Sequence, residues 1–143
     1  MGYYVHVRES NAIIPAENLD EAYRRMCALN VTHDHLKRGG SYSGGRMTAK
    51  WFSWMDENYP ETCKDAAEIL EALGFECDST DAGGLDVMYY DNKSGQEDLF
   101  ISAIADLFVP GSFIHWQGED GEQYRWEFDE GGMTVKNATL IWE

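Results

Sequence analysis

Basic side chains are scarce in this 143-residue chain, which has 11 Lys and Arg against 26 Asp and Glu and a formal net charge of −15. The deficit is uneven, because residues 1–50 carry seven bases and five acids whereas residues 51–143 carry four bases and 21 acids. A field of one sign repels nucleic acid and attracts basic surfaces. The composition therefore argues against direct nucleic-acid binding and indicates a basic protein as the partner.

Cysteine, proline and long apolar runs are also scarce. Cys27, Cys63 and Cys77 lie far apart without a C-x-x-C spacing, which argues against a disulfide framework and predicts reduced thiols in a cytoplasmic protein. No segment approaches the ~18 apolar residues of a membrane span, and the alternating first eight residues are unlike a signal peptide. With 43% hydrophobic residues and three prolines, residues 1–143 are expected to fold as a single domain.

The hydrophobic periodicity predicts an α+β fold, a mainly antiparallel sheet with helices packed on one face that ends in a three-stranded C-terminal meander. Helices are predicted over residues 19–30, after Thr48, near 62–73 and over 96–108. Strands are predicted over residues 3–8, 75–78, 85–90, 113–117, 124–128 and 133–142. Within the meander, one strand face carries only aromatic side chains and is expected to belong to the core: Tyr124, Trp126 and Phe128.

Several helix ends carry capping signals. Asn18, with Glu21 three positions later, predicts a capping box at the first helix. Thr62, with Asp65 in the reciprocal position, predicts the start of a later helix. Gly74 predicts the C-terminal cap of that helix, because glycine accepts the positive φ found there.

Residues 31–47 are rich in glycine, with four glycines in the seven residues 39–45, and are predicted to form a flexible loop. The spacing from Gly40 to Gly45 is that of a phosphate-cradling loop. Arg46 and its successor, however, replace the Lys and Ser or Thr that bind phosphate and Mg²⁺ in such loops. The phosphate-binding interpretation is therefore the weaker one for this segment.

The same segment contains the two histidines whose spacing is closest to that of a metal-binding pair. His33 and His35 alternate as a metal pair would, but no third ligand stands at a known spacing. We therefore predict no metal and no cofactor. An alternative function, a small-ligand or phosphate-binding protein or an enzyme, would use a ligand loop formed by His33, His35, Lys37, Arg38 and Arg46.

Other possible chemistry leaves weaker signals. The acids within residues 76–86 lack the ligand spacing of an EF-hand, and turn chemistry explains them, so no calcium site is predicted. With 26 acids, carboxylate pairs arise by chance, and no motif supports an enzyme. Trp51 and Trp54 are three residues apart beside the glycine-rich segment and are expected to be exposed contacts.

The acids of the C-terminal part are the leading candidates for function. Because they are interleaved with apolar residues, they predict a folded negative surface rather than a disordered acidic tail. A basic, nucleic-acid-handling protein would be steered onto such a surface, with carboxylates in place of phosphates. The leading hypothesis is a non-enzymatic protein-binding module that blocks this partner through Glu68, Glu71, Glu119, Asp120, Glu122, Glu127, Asp129 and Glu130. A third hypothesis is a homo-oligomer in which the basic N-terminal third meets the acidic part of another copy.

Two segments in the C-terminal third carry a resemblance. Residues 98–105 lead into Gly111-Ser112-Phe113-Ile114, and Trp116-Gln117-Gly118-Glu119-Asp120-Gly121 is followed by Tyr124-Arg125-Trp126-Glu127-Phe128. These segments resemble small proteins of phages and mobile elements, mostly without an assigned activity. In size and acidity the chain is also similar to phage anti-restriction and anti-CRISPR proteins that mimic DNA, which implies an inhibitor of a defence enzyme.

Overall fold

An antiparallel sheet of seven strands organises the computed structural model, which describes residues 2–39, 42–43, 46–47 and 50–138. In chain order the strands are β1 (Tyr4–Ser10), β2 (Ile13–Ile14), β3 (Arg38–Gly39), β4 (Tyr42–Ser43), β5 (Arg46–Met47), β6 (Lys50–Trp51), β7 (Phe75–Ser79), β8 (Leu85–Lys93), β9 (Phe113–Gly118), β10 (Gln123–Asp129) and β11 (Gly132–Asn137). The helices are α1 (Leu19–Thr32), α2 (Tyr59–Thr62), α3 (Ala66–Leu73) and α4 (Glu97–Ala103). The predicted α+β fold, with its C-terminal meander β9–β10–β11, is confirmed.

Strand β8 is the longest strand of the sheet and joins its two halves. The order across the sheet is β11-β10-β9-β1-β8, and every ladder is antiparallel. The short β2 pairs with the beginning of β8, and β7 also pairs with β8. Two further pairs, β3 with β6 and β4 with β5, form separate small ladders.

The inner face of the sheet carries the core. Alternate residues of the central strands are buried, among them Val5 and Trp116, because side chains two apart on a strand point to the same side. The helices bury Met26, Ile69 and Phe100 in the same cluster. The other face of the sheet, here called the outer face, carries the polar residues that alternate with the buried ones.

Two β-bulges send additional side chains to the outer face. In the ladder between β7 and β8, Met88 has no partner residue on β7. As a result both Met88 and Tyr89 are exposed, by 47% and 37%. The register of β1 with β9 passes over Arg8, and Arg8 and Glu9 are both exposed. A bulge inserts one residue that the partner strand does not match, which re-aims the side chains around it.

The predicted capping box at α1 is wrong. Asn18 makes no side-chain cap, and its Nδ2 donates to the carbonyl of Leu107 at 3.0 Å. Glu21 accepts from Arg24 and Arg25 on the next turn of the helix instead of reaching back. Two arginines within one helical turn attract the carboxylate more strongly than a neutral N–H does.

At α3 the predicted box lies one helical turn further on. Asp65 caps the helix and accepts from the Glu68 N–H at 2.9 Å, while Glu68 Oε1 accepts from the Lys64 N–H at 2.7 Å. Thr62 is the last residue of α2, so Asp65 replaces it as the cap. The C-terminal cap at Gly74 is confirmed, with φ at 124°.

The predicted helix after Thr48 is also wrong within the described residues, and Thr48 itself lies outside them. Lys50 and Trp51 form β6, and Ser53 then has a φ of 47°, which no helix continues through. The Ser53 backbone N–H donates to Gln96 Oε1 at 2.8 Å, which holds this conformation.

Residues 31–47 contain more regular structure than a loop. Helix α1 continues to Thr32, a 3-10 turn covers Asp34–Leu36, and three short strands follow. The predicted flexibility of this segment stays a prediction. Strand β11 ends at Asn137. The predicted continuation of this strand over residues 139–142 lies outside the described part of the chain. Among the described residues, no helix is long and apolar enough to cross a bilayer.

Replacing Gly74 by Ala tests the close approach of α3 to β8. A Cβ at Gly74 would lie 2.8 Å from Cε2 of the buried Tyr90, and its φ of 124° disfavours any L side chain. We expect Gly74→Ala to lower the free energy of unfolding by about 2 kcal/mol or more. Gly111→Ala is the matched control, because its φ is 85° but a Cβ there meets nothing within 4 Å. Urea unfolding measures both, and equal losses would mean that the contact with Tyr90 adds no cost.

Candidate functional site

Five of the six predicted acids of the meander lie at two opposite ends of β10. Glu119, Asp120 and Glu122 stand at the β9–β10 turn, whereas Asp129 and Glu130 stand at the β10–β11 turn. A strand of seven residues separates the two turns by ~20 Å. The structure therefore does not bring the six meander acids into one patch.

Two carboxylates of the β9–β10 turn bind the N-terminus of the chain. Glu119 Oε1 accepts from the Tyr4 backbone N–H at 2.9 Å, and Glu122 accepts from the hydroxyl of Tyr3. These contacts hold the first residues of β1 against the meander. Asp120 is exposed beside them, so it is the acid of this turn with the freest carboxylate.

Glu127 lies on the outer face between two bases. Its Oε1 lies 2.8 Å from Lys136 Nζ, and its Oε2 lies 3.5 Å from Arg125 Nη1. The hydrogen bond from Lys136 is the main cause that lowers the pKa of the Glu127 carboxyl, and Arg125 adds to it. Half-buried and paired on both sides, Glu127 offers a partner little net charge.

The two predicted acids of α3 differ in whether their carboxylates already have a partner within the chain. Glu68 is occupied by the cap described above, whereas Glu71 is exposed. Burial, followed by the charges of Glu71 and Asp86, raises the pKa of the Cys77 thiol to about 12. Glu71 therefore contributes to the negative field around β7 and β8 rather than to the meander.

The outer side of the β7–β8 hairpin concentrates unpaired carboxylates. We call it the acidic hairpin face and define it by its outer-facing residues: Glu76, Asp78, Asp86, Met88, Tyr89 and Asp91. Within the described residues, no Lys or Arg forms an ion pair with these four acids. Arg8, on the neighbouring β1, turns away and donates to Gln117 at 2.7 Å.

At the base of this face two carboxylates oppose each other. Asp78 pairs directly with Asp86 across the antiparallel ladder, an arrangement that destabilises a sheet when both are charged. Asp86 Oδ1 is buried and has no hydrogen-bond partner among the described residues. Burial and then the charge of Asp78 raise the pKa of the Asp86 carboxyl. The hairpin therefore holds negative charge at a cost to its own stability.

Two large side chains lie in the middle of the acidic hairpin face. Met88 and Tyr89 are exposed by the bulge, and Tyr89 lies opposite Glu76 in the ladder. Burial, followed by the charges of Asp91 and Glu76, raises the pKa of the Tyr89 hydroxyl. Sequence reasoning missed this pair, because the alternation of β8 alone would send Met88 and Tyr89 to opposite sides.

The alternative ligand loop is largely committed to internal contacts. Asp34 holds Lys37 at 3.0 Å and Lys50 at 2.7 Å, and Lys37 Nζ also donates to the Asn30 carbonyl at 2.8 Å. The Lys37 side chain keeps only 7% of its surface exposed. Its ammonium therefore completes the end of α1 and is withdrawn from any ligand in solvent.

The other side chains of the predicted loop that the structure describes are those of His33, His35 and Arg38. The rings of His33 and His35 stack with centroids 6.0 Å apart, and the Thr32 hydroxyl contacts His33 Nδ1 at 2.7 Å. Arg38 is exposed, and the side chain of Arg46 lies outside the described residues. Among the described residues, no group of three or more His, Cys, Asp or Glu is placed to hold a metal ion.

Neutralising Asp86 tests the charge repulsion within the acidic hairpin face. Its pKa is raised in the folded state, so the carboxylate lowers stability above its unfolded pKa and the penalty vanishes when pH falls below that value. At pH 7, Asp86→Asn is expected to raise the free energy of unfolding by up to about 1 kcal/mol, the range of a cross-strand pair. Near pH 3 the variant and the parent are expected to be equally stable.

Asp91→Asn is the matched control for this measurement, because it removes the same charge from an exposed position of the same strand. Urea unfolding at both pH values measures the difference. If Asp86→Asn lowered stability at pH 7, the carboxylate would be making a favourable contact, and the repulsion between Asp78 and Asp86 would not be the dominant effect.

The acidic hairpin face is defined above by geometry and charge. Comparison of the chain with protein-family models, with curated proteins and with solved structures finds no match. On the acidic hairpin face, four carboxylates without a basic partner among the described residues lie around the exposed Met88 and Tyr89.

Proposed function

We propose that this chain is a protein-binding module that docks its acidic hairpin face onto a basic, nucleic-acid-handling protein and blocks it. One observation carries the proposal. Four carboxylates surround the exposed Met88 and Tyr89, and none of the four is paired with a described Lys or Arg. A surface that only kept the protein soluble would need neither the clustered charge nor the apolar centre.

The composition of the face is that of a protein interface. Tyr and Met are enriched at the centres of interfaces, where they are desolvated, and charged residues belong to the rim. The centre here stands on a bulge in the middle of a sheet, between β1 and β7. Because the sheet holds the backbone of these residues in place before a partner arrives, docking orders only their exposed side chains.

The spacing of the acids supports the replacement of phosphates. Glu76 and Asp78 are two residues apart on one strand, which separates them by ~6.8 Å. That distance is twice the ~3.4 Å rise per charge along one strand of DNA. By this measure the two carboxylates match alternate phosphates, and a groove that binds every second phosphate through Lys or Arg presents cations at a compatible spacing.

The net charge of the whole chain increases the rate of association with a basic partner. With −15 at neutral pH, the protein attracts a basic groove over distances limited by salt screening. Steered association of this kind reaches about 10⁸ M⁻¹s⁻¹ at low salt and falls steeply as ionic strength rises. The meander acids, including Asp120 and Glu130, contribute to this field without being part of the contact.

The competing hypotheses have less support from the geometry. A ligand loop around His33 would need Lys37, whose ammonium already binds Asp34 and the Asn30 carbonyl. The homo-oligomer hypothesis would bring together copies that each carry −15. An inhibitor of a defence enzyme, which the similarity to phage anti-restriction and anti-CRISPR proteins implies, is the narrower form of the proposal.

Charge reversal combined with affinity capture tests the proposed function. Immobilised protein is incubated with bacterial lysate at about 50 and 300 mM salt, which bracket weak and strong screening, and bound proteins are identified by mass spectrometry. We expect one basic nucleic-acid-binding protein at low salt, released by double-stranded DNA. Glu76→Lys with Asp91→Lys is expected to reduce its capture at least about tenfold, because the contact reverses sign.

Asp120→Lys with Glu130→Lys is the matched control, because it makes the same change in net charge at exposed turn positions of the meander. Its capture is expected to stay within about threefold of the parent, as for charges that act by steering alone. Loss of capture by the meander variant and not by the hairpin variant would move the contact to the meander. An unspecific eluate that DNA does not change would contradict the proposed function.

A further inference from the structure

An apolar groove lies at the tip of the β7–β8 hairpin, beside the acidic hairpin face. Ile13, Pro15, Ala82 and Val109 line it, and this open groove has a volume of about 430 Å³. Val109 is 41% exposed although it is a large aliphatic residue. This volume is within the 300–1,000 Å³ typical of ligand sites and is large enough for one aliphatic side chain.

The walls of the groove are fixed by backbone hydrogen bonds. The Val109 N–H donates to the Ile13 carbonyl at 2.9 Å, and the Gly84 N–H donates to Thr80 Oγ1 at 2.9 Å. A Cβ at Gly84 would lie 2.7 Å from the carbonyl oxygen of Ile14, so the hairpin tip approaches β2 as closely as glycine permits. The groove is therefore formed before anything enters it.

The rim of the groove is negative. Glu17 and Asp81 line its edge, both are exposed, and neither forms an ion pair with a described base. An apolar floor with two carboxylates at its edge is complementary to an aliphatic side chain that has cations next to it. It is a poor match for an acidic peptide or for a lipid phosphate.

The groove is continuous with the acidic hairpin face. Ile13, which lines the groove, pairs directly with Asp86 across the β2–β8 ladder, and directly opposed residues share one face of a sheet. From Gly84 to Met88 the distance along the strand is ~13 Å, the length of four extended residues. A single extended segment of a partner can therefore reach from one to the other.

We infer that this groove receives a leucine-like side chain of the basic partner, flanked by Lys or Arg that contact Glu17 and Asp81. This inference rests on the proposed function, since it names a feature of the same partner. The acidic hairpin face supplies attraction to any basic groove, whereas the apolar groove selects a partner that presents an aliphatic residue between cations. The groove thus provides a specificity that charge alone lacks.

Peptide titration followed by ¹⁵N–¹H NMR tests the groove. The probes are three capped tripeptides, Arg-Leu-Arg, Arg-Gly-Arg and Glu-Leu-Glu, added at millimolar concentration to the ¹⁵N-labelled chain. Arg-Leu-Arg is expected to shift the amide signals of Ala82, Gly84 and Val109 and to bind about tenfold more tightly than Arg-Gly-Arg, the effect of burying the leucine. Glu-Leu-Glu is expected to leave these signals unchanged.

Val109→Ser is the variant that reports on the groove, because an exposed side chain can be shortened there while the backbone contact to Ile13 stays. It is expected to weaken Arg-Leu-Arg about threefold or more and to leave Arg-Gly-Arg unchanged. Equal binding of Arg-Leu-Arg and Arg-Gly-Arg, binding of Glu-Leu-Glu at the same signals, or no effect of the variant would each overturn the inference.

The two proposals can fail separately. If the lysate partner were captured through Glu76 and Asp91 while Val109→Ser changed neither the capture nor the peptide binding, the groove inference alone would fall. If Arg-Leu-Arg bound the groove as expected but the lysate gave no basic, DNA-displaced protein, the proposed function would fall and the groove would stand as a peptide site.

Discussion

The packing of Trp116 against the neighbouring strands is the contact on which the remaining structure depends. Its ring is fully buried at the inner face, 5.9 Å from Phe75, 5.4 Å from Tyr90 and 4.7 Å from Trp126 between centroids. Each such aromatic pair contributes about 0.5–1.5 kcal/mol beyond its buried area. Because these contacts join β7, β8, β9 and β10 on one side, the alternation of each strand then places its carboxylates on the other side.

The few Lys and Arg residues pair with some acids of the chain and leave the others without a basic partner. Arg25 joins Glu21 and Asp106, Asp34 takes two lysines, and Glu127 takes a lysine and an arginine. With Arg24, which also pairs with Glu21, at least six of the eleven Lys and Arg are used in ion pairs within the chain. The acids of the β7–β8 hairpin receive none of these bases within the described residues. These acids are therefore part of the unpaired negative charge of the chain, and they lie around the exposed Met88 and Tyr89.

Periodicity was sufficient for the fold class and for most strands, because a buried face imposes its own alternation on the sequence. It was not sufficient where a polar contact competes with the expected local structure. Glu21 accepts from Arg24 and Arg25 instead of capping α1. The backbone N–H of Ser53 donates to Gln96 instead of continuing a helix. Composition predicted an acidic surface but not its position. That position depends on which acids meet bases in the folded chain, as Asp106 meets Arg25, and on a bulge that no local pattern shows.

Under the proposed function, the opposition of Asp78 and Asp86 makes this surface less stable alone than beside a positive charge. In the free protein the two carboxylates repel each other across the ladder, and one oxygen of Asp86 lacks a hydrogen-bond donor. A cation placed beside the exposed Asp78 would offset the repulsion between the two carboxylates, whereas the buried Oδ1 of Asp86 stays out of its reach. Under the proposed function, this repulsion would favour positive charge at the face and disfavour an acidic or nucleic-acid competitor. The charge asymmetry of the chain would then act as a local preference for basic surfaces rather than only as a property of the composition.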